Sequence, residues 1–161
     1  MTEVQEEKDY KLAIEAFNLV YNALDKKARE GFRSRARDMV EEIYTSGFIP
    51  TFFYIISKAG LEDRDKMDSF ITLVCSTING RAFGKIKGQE DASYAAYLFV
   101  ILFYLIKENI LGNELFKNLR CENFLIDLIN ELYEKAPIIS ARLRTYLVAI
   151  KRLTEALIEA R

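Results

Sequence analysis

The sequence predicts an all-α protein, a compact bundle of about six to seven helices in a single domain over residues 1–161. Apolar residues recur three and four positions apart through most of the chain, which is the period of a helix with one buried face. No stretch alternates apolar and polar residues between turn signals, as a half-buried strand would. Only 7 Gly and 2 Pro interrupt a chain that is 50% hydrophobic, so long helices around a sizeable core are expected.

Three helices are predicted in the first 58 residues. The first runs from about Glu6 to Leu24, and its inward stripe is Tyr10, Ala13, Ile14, Phe17, Val20, Tyr21 and Leu24. Asp25 is a suitable N-cap for the second helix, which ends near Gly47 because glycine adopts the left-handed conformation that terminates helices. Its inward residues are Ala28, Phe32, Ala36, Met39, Val40 and Ile43. Pro50 suits the first turn of a short third helix that ends near Lys58.

A fourth helix is expected over about Lys66 to Ile78, and a fifth over about Asp91 to Asn109. The fifth contains the longest unbroken apolar run of the chain, the 13 residues from Tyr94 to Ile106. This run is shorter than the roughly 20 residues that cross a bilayer, so it indicates a buried central helix. Between the two helices, residues 80–90 hold three of the glycines and predict a loop.

Two further helices complete the prediction. The sixth covers about Cys121 to Ala136, and Pro137 marks the boundary before the last helix, because proline disfavours helical geometry in the preceding residue. The last helix runs from Ile138 to about Arg161. Its inward face is Ile139, Leu143, Tyr146, Leu147, Ile150, Leu153 and Leu157.

The composition excludes several familiar kinds of site. With no histidine, the chain lacks the usual general base at neutral pH and the usual zinc ligand. Cys75 and Cys121 form no CxxC pair, which indicates reduced thiols and a cytoplasmic setting. Asp127 and Glu131 lie one helical turn apart, but helical di-metal sites also require Glu-x-x-His. We therefore predict no catalytic residues, no metal site and no cofactor, and the acidic N-terminus predicts no targeting segment.

The near-neutral net charge of −1 hides a segregation of cations. Thirteen of the 23 Lys and Arg residues fall in three windows, residues 26–37, 81–87 and 142–152. Lys26, Arg29, Arg33 and Arg37 lie within about 80° of one another on the second helix, which predicts a positive ridge roughly 17 Å long. Such a ridge can follow the phosphates of a single strand. The alternative is a solvated face paired with Glu30, Asp38, Glu41 and Glu42.

The glycine-rich segment does not match a nucleotide-binding loop. A Walker A motif follows a strand and reads GxxxxGK with Ser or Thr next, whereas here Ile86 replaces the hydroxyl and a helix precedes the glycines. Lys85 and Lys87 are instead candidates for contacts to a nucleic-acid backbone, and Phe83 for stacking on a base. A surface loop without a ligand remains the alternative.

Two segments resemble a known family, the small subunit of the type III-B CRISPR effector, called the Cmr complex. The first comprises Arg33 to Arg37 (RSRAR), Ile43, Gly47 to Thr51 (GFIPT) and Phe53 to Lys58, and the second is Tyr146 to Leu157 (YLVAIKRLTEAL). Together they cover about a quarter of the chain. Phe32, Phe48 and the lack of a tryptophan before Lys151 depart from the family pattern, and residues 61–137 show no motif that aligns.

The resemblance implies a small all-α subunit without a catalytic site that stacks along the guide-RNA backbone in antiviral defence. Its partners would be the other effector subunits, guide and target RNA, and neighbouring copies of itself, with no membrane. The residues predicted to bind RNA are Lys26, Arg29, Arg33, Arg37, Lys85, Lys87, Arg144 and Lys151. The alternative function is a helical protein–protein interaction module or homodimer with no role in nucleic-acid binding.

Overall fold

A computed structural model describes residues 3–78, 90–111 and 124–159 of the chain. Within these ranges it contains seven α-helices and no strand, so the predicted all-α class is confirmed. The helices are α1 (Glu3–Ala23), α2 (Lys26–Ser46), α3 (Phe48–Lys58), α4 (Arg64–Ile78), α5 (Glu90–Lys107), α6 (Phe124–Glu134) and α7 (Ala136–Leu157).

Helix α5 is the centre of the bundle. Every residue from Tyr94 to Ile106 is buried, as expected for an unbroken apolar run. Helices α1, α2, α3, α4 and α7 all pack against α5, and α1 and α2 also pack against α7. The prediction of a buried central helix is therefore confirmed, and the described part of the chain contains no helix long and apolar enough to span a membrane.

The junctions before and after α2 follow from local hydrogen bonding. The Asp25 carboxylate accepts a hydrogen bond from the Ala28 amide at 2.8 Å and so caps the start of α2. At the other end, the Gly47 amide donates to the Ile43 carbonyl, and Gly47 has a φ of 91°, a region that favours glycine. Gly47 also precedes α3, which begins at Phe48 and so contains Pro50 in its first turn, as predicted.

A polar cluster ties α1, α5 and α7 together inside the bundle. The Tyr104 hydroxyl donates to Asp9 Oδ1 at 2.6 Å, and Asp9 is completely buried. Gln5 Nε2 donates both to Asp9 Oδ1 and to Glu108 Oε1, at 2.9 and 2.6 Å. Arg142 Nη2 lies 3.6 Å from Glu108 Oε1. Burial, followed by the hydrogen bond to Asp9, holds the pKa of Tyr104 well above its usual value.

The predicted inward stripes are wrong at three positions. Tyr10 and Ile14 are 40% and 51% exposed, because the buried stripe of α1 centres on Ala13, Ala16 and Val20. At 100° per residue, Tyr10 lies roughly 90° and Ile14 roughly 130° away from that centre. Leu157 is 57% exposed because α7 ends there, and Ile158, with an extended backbone, enters the core in its place.

Several predicted boundaries also shift. Helix α5 ends at Lys107, and Asn109, predicted as helical, has a φ of 56° that no helix accommodates. Pro137 lies in the first turn of α7 and not before it, because the first amides of a helix need no intrahelical acceptor. The predicted helix start at Cys121 and the glycine-rich segment over residues 80–88 lie outside the described residues.

Candidate nucleic-acid interface

The structure brings two of the basic windows together along the line where α2 and α7 pack side by side. We call this surface the basic seam and define it by its predicted RNA-binding cations, Lys26, Arg29, Arg33 and Arg37 on α2 with Arg144 and Lys151 on α7. The two helices run antiparallel, since Tyr44 near the end of α2 contacts Arg144, whereas Arg37, two turns earlier on α2, is affected by the charge of Glu155, three turns later on α7. Residues more than 100 positions apart in the sequence thus share one surface.

Lys26 and Arg29, the first two cations of the seam, differ in how firmly their side chains are held. Lys26 is the first residue of α2 and is exposed. Arg29 is half-buried and fixed against α1, because its Nε donates to the Tyr21 carbonyl at 2.8 Å. Its guanidinium also lies 3.8 Å from the centroid of the Tyr21 ring, within the range of a cation–π contact. Arg29 is therefore held in position, whereas Lys26 extends into solvent.

Arg33 and Arg37 occupy the middle of α2. Arg33 is half-buried, and its buried Nε has no hydrogen-bond partner among the described residues. Arg37 is exposed, and its Nε lies 3.0 Å from Asp38 Oδ1. The hydrogen bond to Asp38 and the charges of Asp38 and Glu155 raise the pKa of Arg37. Because an exposed ion pair of this kind contributes little stability, Arg37 can exchange Asp38 for another anion at small cost.

On α7, Arg144 pairs with an aromatic residue of α2. Its guanidinium lies 4.5 Å from the centroid of the Tyr44 ring and donates a hydrogen bond to the Tyr44 hydroxyl. Beside this pair a groove of about 230 Å³ opens between the helices. It is lined by Val40, Glu41, Ile43, Tyr44, Ser140, Leu143, Arg144, Leu147 and Val148. Lys151 lies two helical turns beyond Arg144 and is half-buried.

Acidic residues interrupt the seam. Asp38 pairs with Arg37, the Glu155 charge acts on Arg37 from α7, and Glu41 lines the groove. The surface is thus an alternation of charges with an excess of cations, not a uniform positive patch. Such a surface suits several weak contacts better than one strong one.

Two of the eight predicted RNA-binding residues, Lys85 and Lys87, lie outside the described residues. The remaining six are those that define the seam, and the four on α2 do lie along one side of that helix, as its periodicity predicts. Their contact with RNA stays a prediction.

Sequence reasoning missed Tyr44, although its signal was present. Positions 33, 37, 40 and 44 continue one stripe at the three-and-four spacing, so Tyr44 extends the ridge of Arg33 and Arg37 by two turns. The pairing of Tyr44 with Arg144 had no such signal, because it depends on which helices become neighbours.

A second cation–aromatic cluster, which sequence reasoning also missed, joins α2, α3 and α5. The Arg35 guanidinium lies 4.6 Å from the Tyr94 centroid, and Tyr94 meets Tyr54 edge to face at 6.0 Å. Lys58 Nζ lies 5.8 Å from the Tyr54 centroid. These residues come from three helices, so no single periodic pattern links them.

Over residues 3–78, 90–111 and 124–159 no group of three or more His, Cys, Asp or Glu side chains could hold a metal ion. The features that stand out are arginines and tyrosines arranged at a helix–helix seam. They define a class of protein: a small all-α protein with cations and tyrosines exposed along the line where two of its helices meet.

Comparison with known proteins identifies the family. The chain is 63% identical, over the full length of both proteins, to the CRISPR system CMR subunit Cmr5 of Saccharolobus solfataricus. It also matches a chain of the type III-B Cmr-β complex bound to cognate target RNA and AMPPnP, with a TM-score of 0.85 and 55% identity over 96% of this chain and 99% of that one. The complex bound to non-cognate target RNA gives the same values. No protein-family model matches the chain.

The chain belongs to the Cmr5 family, the small subunits of the type III-B CRISPR effector called the Cmr complex. The resemblance stated from two short sequence segments is thereby confirmed.

Proposed function

We propose that this Cmr5-family subunit contacts target RNA through the basic seam, without reading base sequence and without a catalytic site of its own. The observation that carries the proposal is the convergence of two basic windows on the α2–α7 surface, where Arg37 and Arg144 are both exposed. The similar chains come from complexes described as bound to target RNA, cognate or non-cognate, which is consistent with contact that does not depend on sequence.

The chemistry of the seam suits a phosphate backbone. Arginine and lysine at helical spacing supply positive charge at regular intervals, and contacts from such side chains to phosphates carry no sequence information. Because Asp38, Glu41 and Glu155 offset part of the charge, one copy should bind weakly. Neighbouring copies in an assembly would then bind strongly together through effective concentration. On this proposal the subunit acts in the cytoplasm, in antiviral defence, beside the other effector subunits and the guide RNA.

Charge reversal at Lys26 and Arg37 is expected to weaken binding to single-stranded RNA to a similar extent for unrelated sequences. Both side chains are exposed, whereas Arg33 is half-buried and would place a carboxylate against the core. If about four phosphates are neutralised, log K falls with log salt at a slope near −3 for the wild type, using about 0.7 per phosphate. The Lys26→Glu/Arg37→Glu variant should show a flatter slope. Affinity measured over a salt series checks this.

The matched control reverses Arg64 and Lys66, two exposed cations on α4, and changes the net charge by the same amount. It should leave RNA affinity near that of the wild type. Wild-type affinity and slope in the Lys26→Glu/Arg37→Glu variant, with unchanged circular dichroism, would reject the seam as the RNA surface. The protein–protein interaction module would then be the better interpretation.

The second element of the proposal is the absence of catalysis. Purified protein with magnesium or manganese is expected to leave RNA and DNA intact, because the described residues offer no set of base, nucleophile and metal ligands. Gel analysis of labelled single strands after long incubation measures this. Specific cleavage that an Asp or Glu substitution abolishes would contradict it.

A further inference from the structure

We infer that the groove beside Tyr44 and Arg144 is a stacking site for one unpaired nucleobase of the RNA that follows the basic seam. This inference rests on the proposed RNA contact and adds a specific residue, a specific chemistry and a preference for unpaired over paired RNA.

Tyr44 presents an exposed aromatic ring that is already held in place. Its side chain is 62% exposed at the surface that α2 shares with α7. Arg144 fixes it through the hydrogen bond to its hydroxyl and lies 4.5 Å from the ring centroid. A ring fixed in this way loses little conformational freedom when a base stacks on it. The Arg144 guanidinium covers one face of the ring, so the base stacks on the other face or on the guanidinium itself, which also stacks on planar groups.

The size and lining of the groove suit an organic ring. Its volume of about 230 Å³ exceeds the share of one water molecule, about 30 Å³, by several times, so it has room for an organic ring. Its aliphatic lining comes from both helices and is formed by Val40, Ile43, Leu143, Leu147 and Val148. Bases of single strands stack on aromatic side chains in positively charged grooves, and Tyr44 and Arg144 provide both features here.

The charge of the groove favours a base over a phosphate as its occupant. Glu41 lines the groove and repels a phosphate, whereas its carboxylate can accept hydrogen bonds from the amino groups of a base. Ser140 adds a hydroxyl that both donates and accepts. Arg144 and Lys151 lie on the same side of α7, at positions where they can bind the phosphates on either side of the inserted base.

Replacement of Tyr44 by alanine tests the inference. Affinity for a short unstructured RNA of mixed sequence is expected to fall by about 5- to 150-fold, from the 1–3 kcal/mol of one stacked base at 1.4 kcal/mol per tenfold. The salt slope should stay unchanged, because stacking releases no counterions. Tyr44→Phe should keep most of the affinity, because it retains the ring. Circular dichroism verifies that each variant is folded.

Two controls decide between stacking and other effects. Tyr133→Ala removes a comparably exposed ring, 70% exposed on α6, and should leave affinity unchanged. An abasic strand of the same length should bind wild type and Tyr44→Ala equally, because it has phosphates but no base to insert. A fully paired duplex should likewise show no difference between the two proteins.

The possible failures are distinguishable. If wild-type protein does not bind RNA, or if reversal of Lys26 and Arg37 has no effect, the proposed function fails and the stacking site fails with it. If that reversal weakens binding but Tyr44→Ala binds mixed-sequence RNA like the wild type, the stacking site alone is rejected. Equal losses for Tyr44→Ala and Tyr133→Ala, or a loss on abasic RNA, also reject it.

Discussion

Replacement of Leu147 by aspartate is expected to unfold the protein or to cost several kcal/mol of stability. Leu147 is 1% exposed and lies on the face of α7 that packs against the rest of the bundle. A carboxylate at this position would replace an apolar contact of the core, and burial of a charge is among the most destabilising single changes. Thermal and urea unfolding followed by circular dichroism measure the loss.

The matched control is Leu157→Asp on the same helix. Leu157 is 57% exposed at the end of α7, so the same chemical change should alter stability by about 0.5 kcal/mol or less, as is usual for surface positions. A Leu147→Asp protein as stable as the Leu157→Asp protein would mean that the inner face of α7 is not buried in solution.

A second large effect is expected at alkaline pH, where stability should fall steeply above about pH 10. Tyr97, Tyr104 and Tyr146 are fully buried, and burial raises the pKa of each hydroxyl well above its ordinary value of 10.0. In the unfolded chain these tyrosines ionise near pH 10, whereas in the folded protein they keep their protons. Folding stability is therefore complete below pH 10 and is lost as the pH rises through the interval between the two pKa values.

The expected loss at pH 11 is about 1.4 kcal/mol per tyrosine, or about 4 kcal/mol for the three together. Urea unfolding at pH 8, 10 and 11 measures it. A stability that is flat between pH 8 and pH 11 would contradict the burial of the three hydroxyls.

Two phenylalanine substitutions serve as controls, and each should remove about a third of this pH dependence. At neutral pH they should act in opposite directions. The Tyr97 hydroxyl has no hydrogen-bond partner within the described residues, so Tyr97→Phe should raise stability by about 1 kcal/mol. The Tyr146 hydroxyl donates to the Val100 carbonyl at 2.7 Å, so Tyr146→Phe should lower it by about the same amount.

Much of the fold was predictable because the local sequence of a single element was enough to define it. The run from Tyr94 to Ile106 is apolar on all sides, and only the centre of a bundle can bury such a helix. Gly47 was identified as a helix end for the same conformational reason that the structure displays. The exposure of Tyr10 and Ile14 was not predictable, because periodicity defines a stripe but not which flank of it a neighbouring helix covers.

The candidate interface was predictable in its parts but not in its assembly. Helical spacing placed Arg33 and Arg37 on one side of α2, and the sequence alone also singled out Arg144 as a candidate. The meeting of α2 with α7, and with it the contact between Tyr44 and Arg144, depends on tertiary packing that no local pattern encodes. The family was identified from two short segments, which contain three of the six cations of the basic seam, Arg33, Arg37 and Lys151. Lys26, Arg29 and Arg144 lie outside them.

The polar cluster around Asp9 constrains how this chain can change over evolutionary time. Asp9, Tyr104 and Arg142 belong to three different helices, and each satisfies or neutralises another inside the bundle. A change at one position leaves a neighbour without its acceptor or donor, so the effects of substitutions here are not additive. We therefore expect the three residues to vary together among relatives. A chimaera that takes α1 from one relative and α5 with α7 from another would fold well only if both parents share this combination.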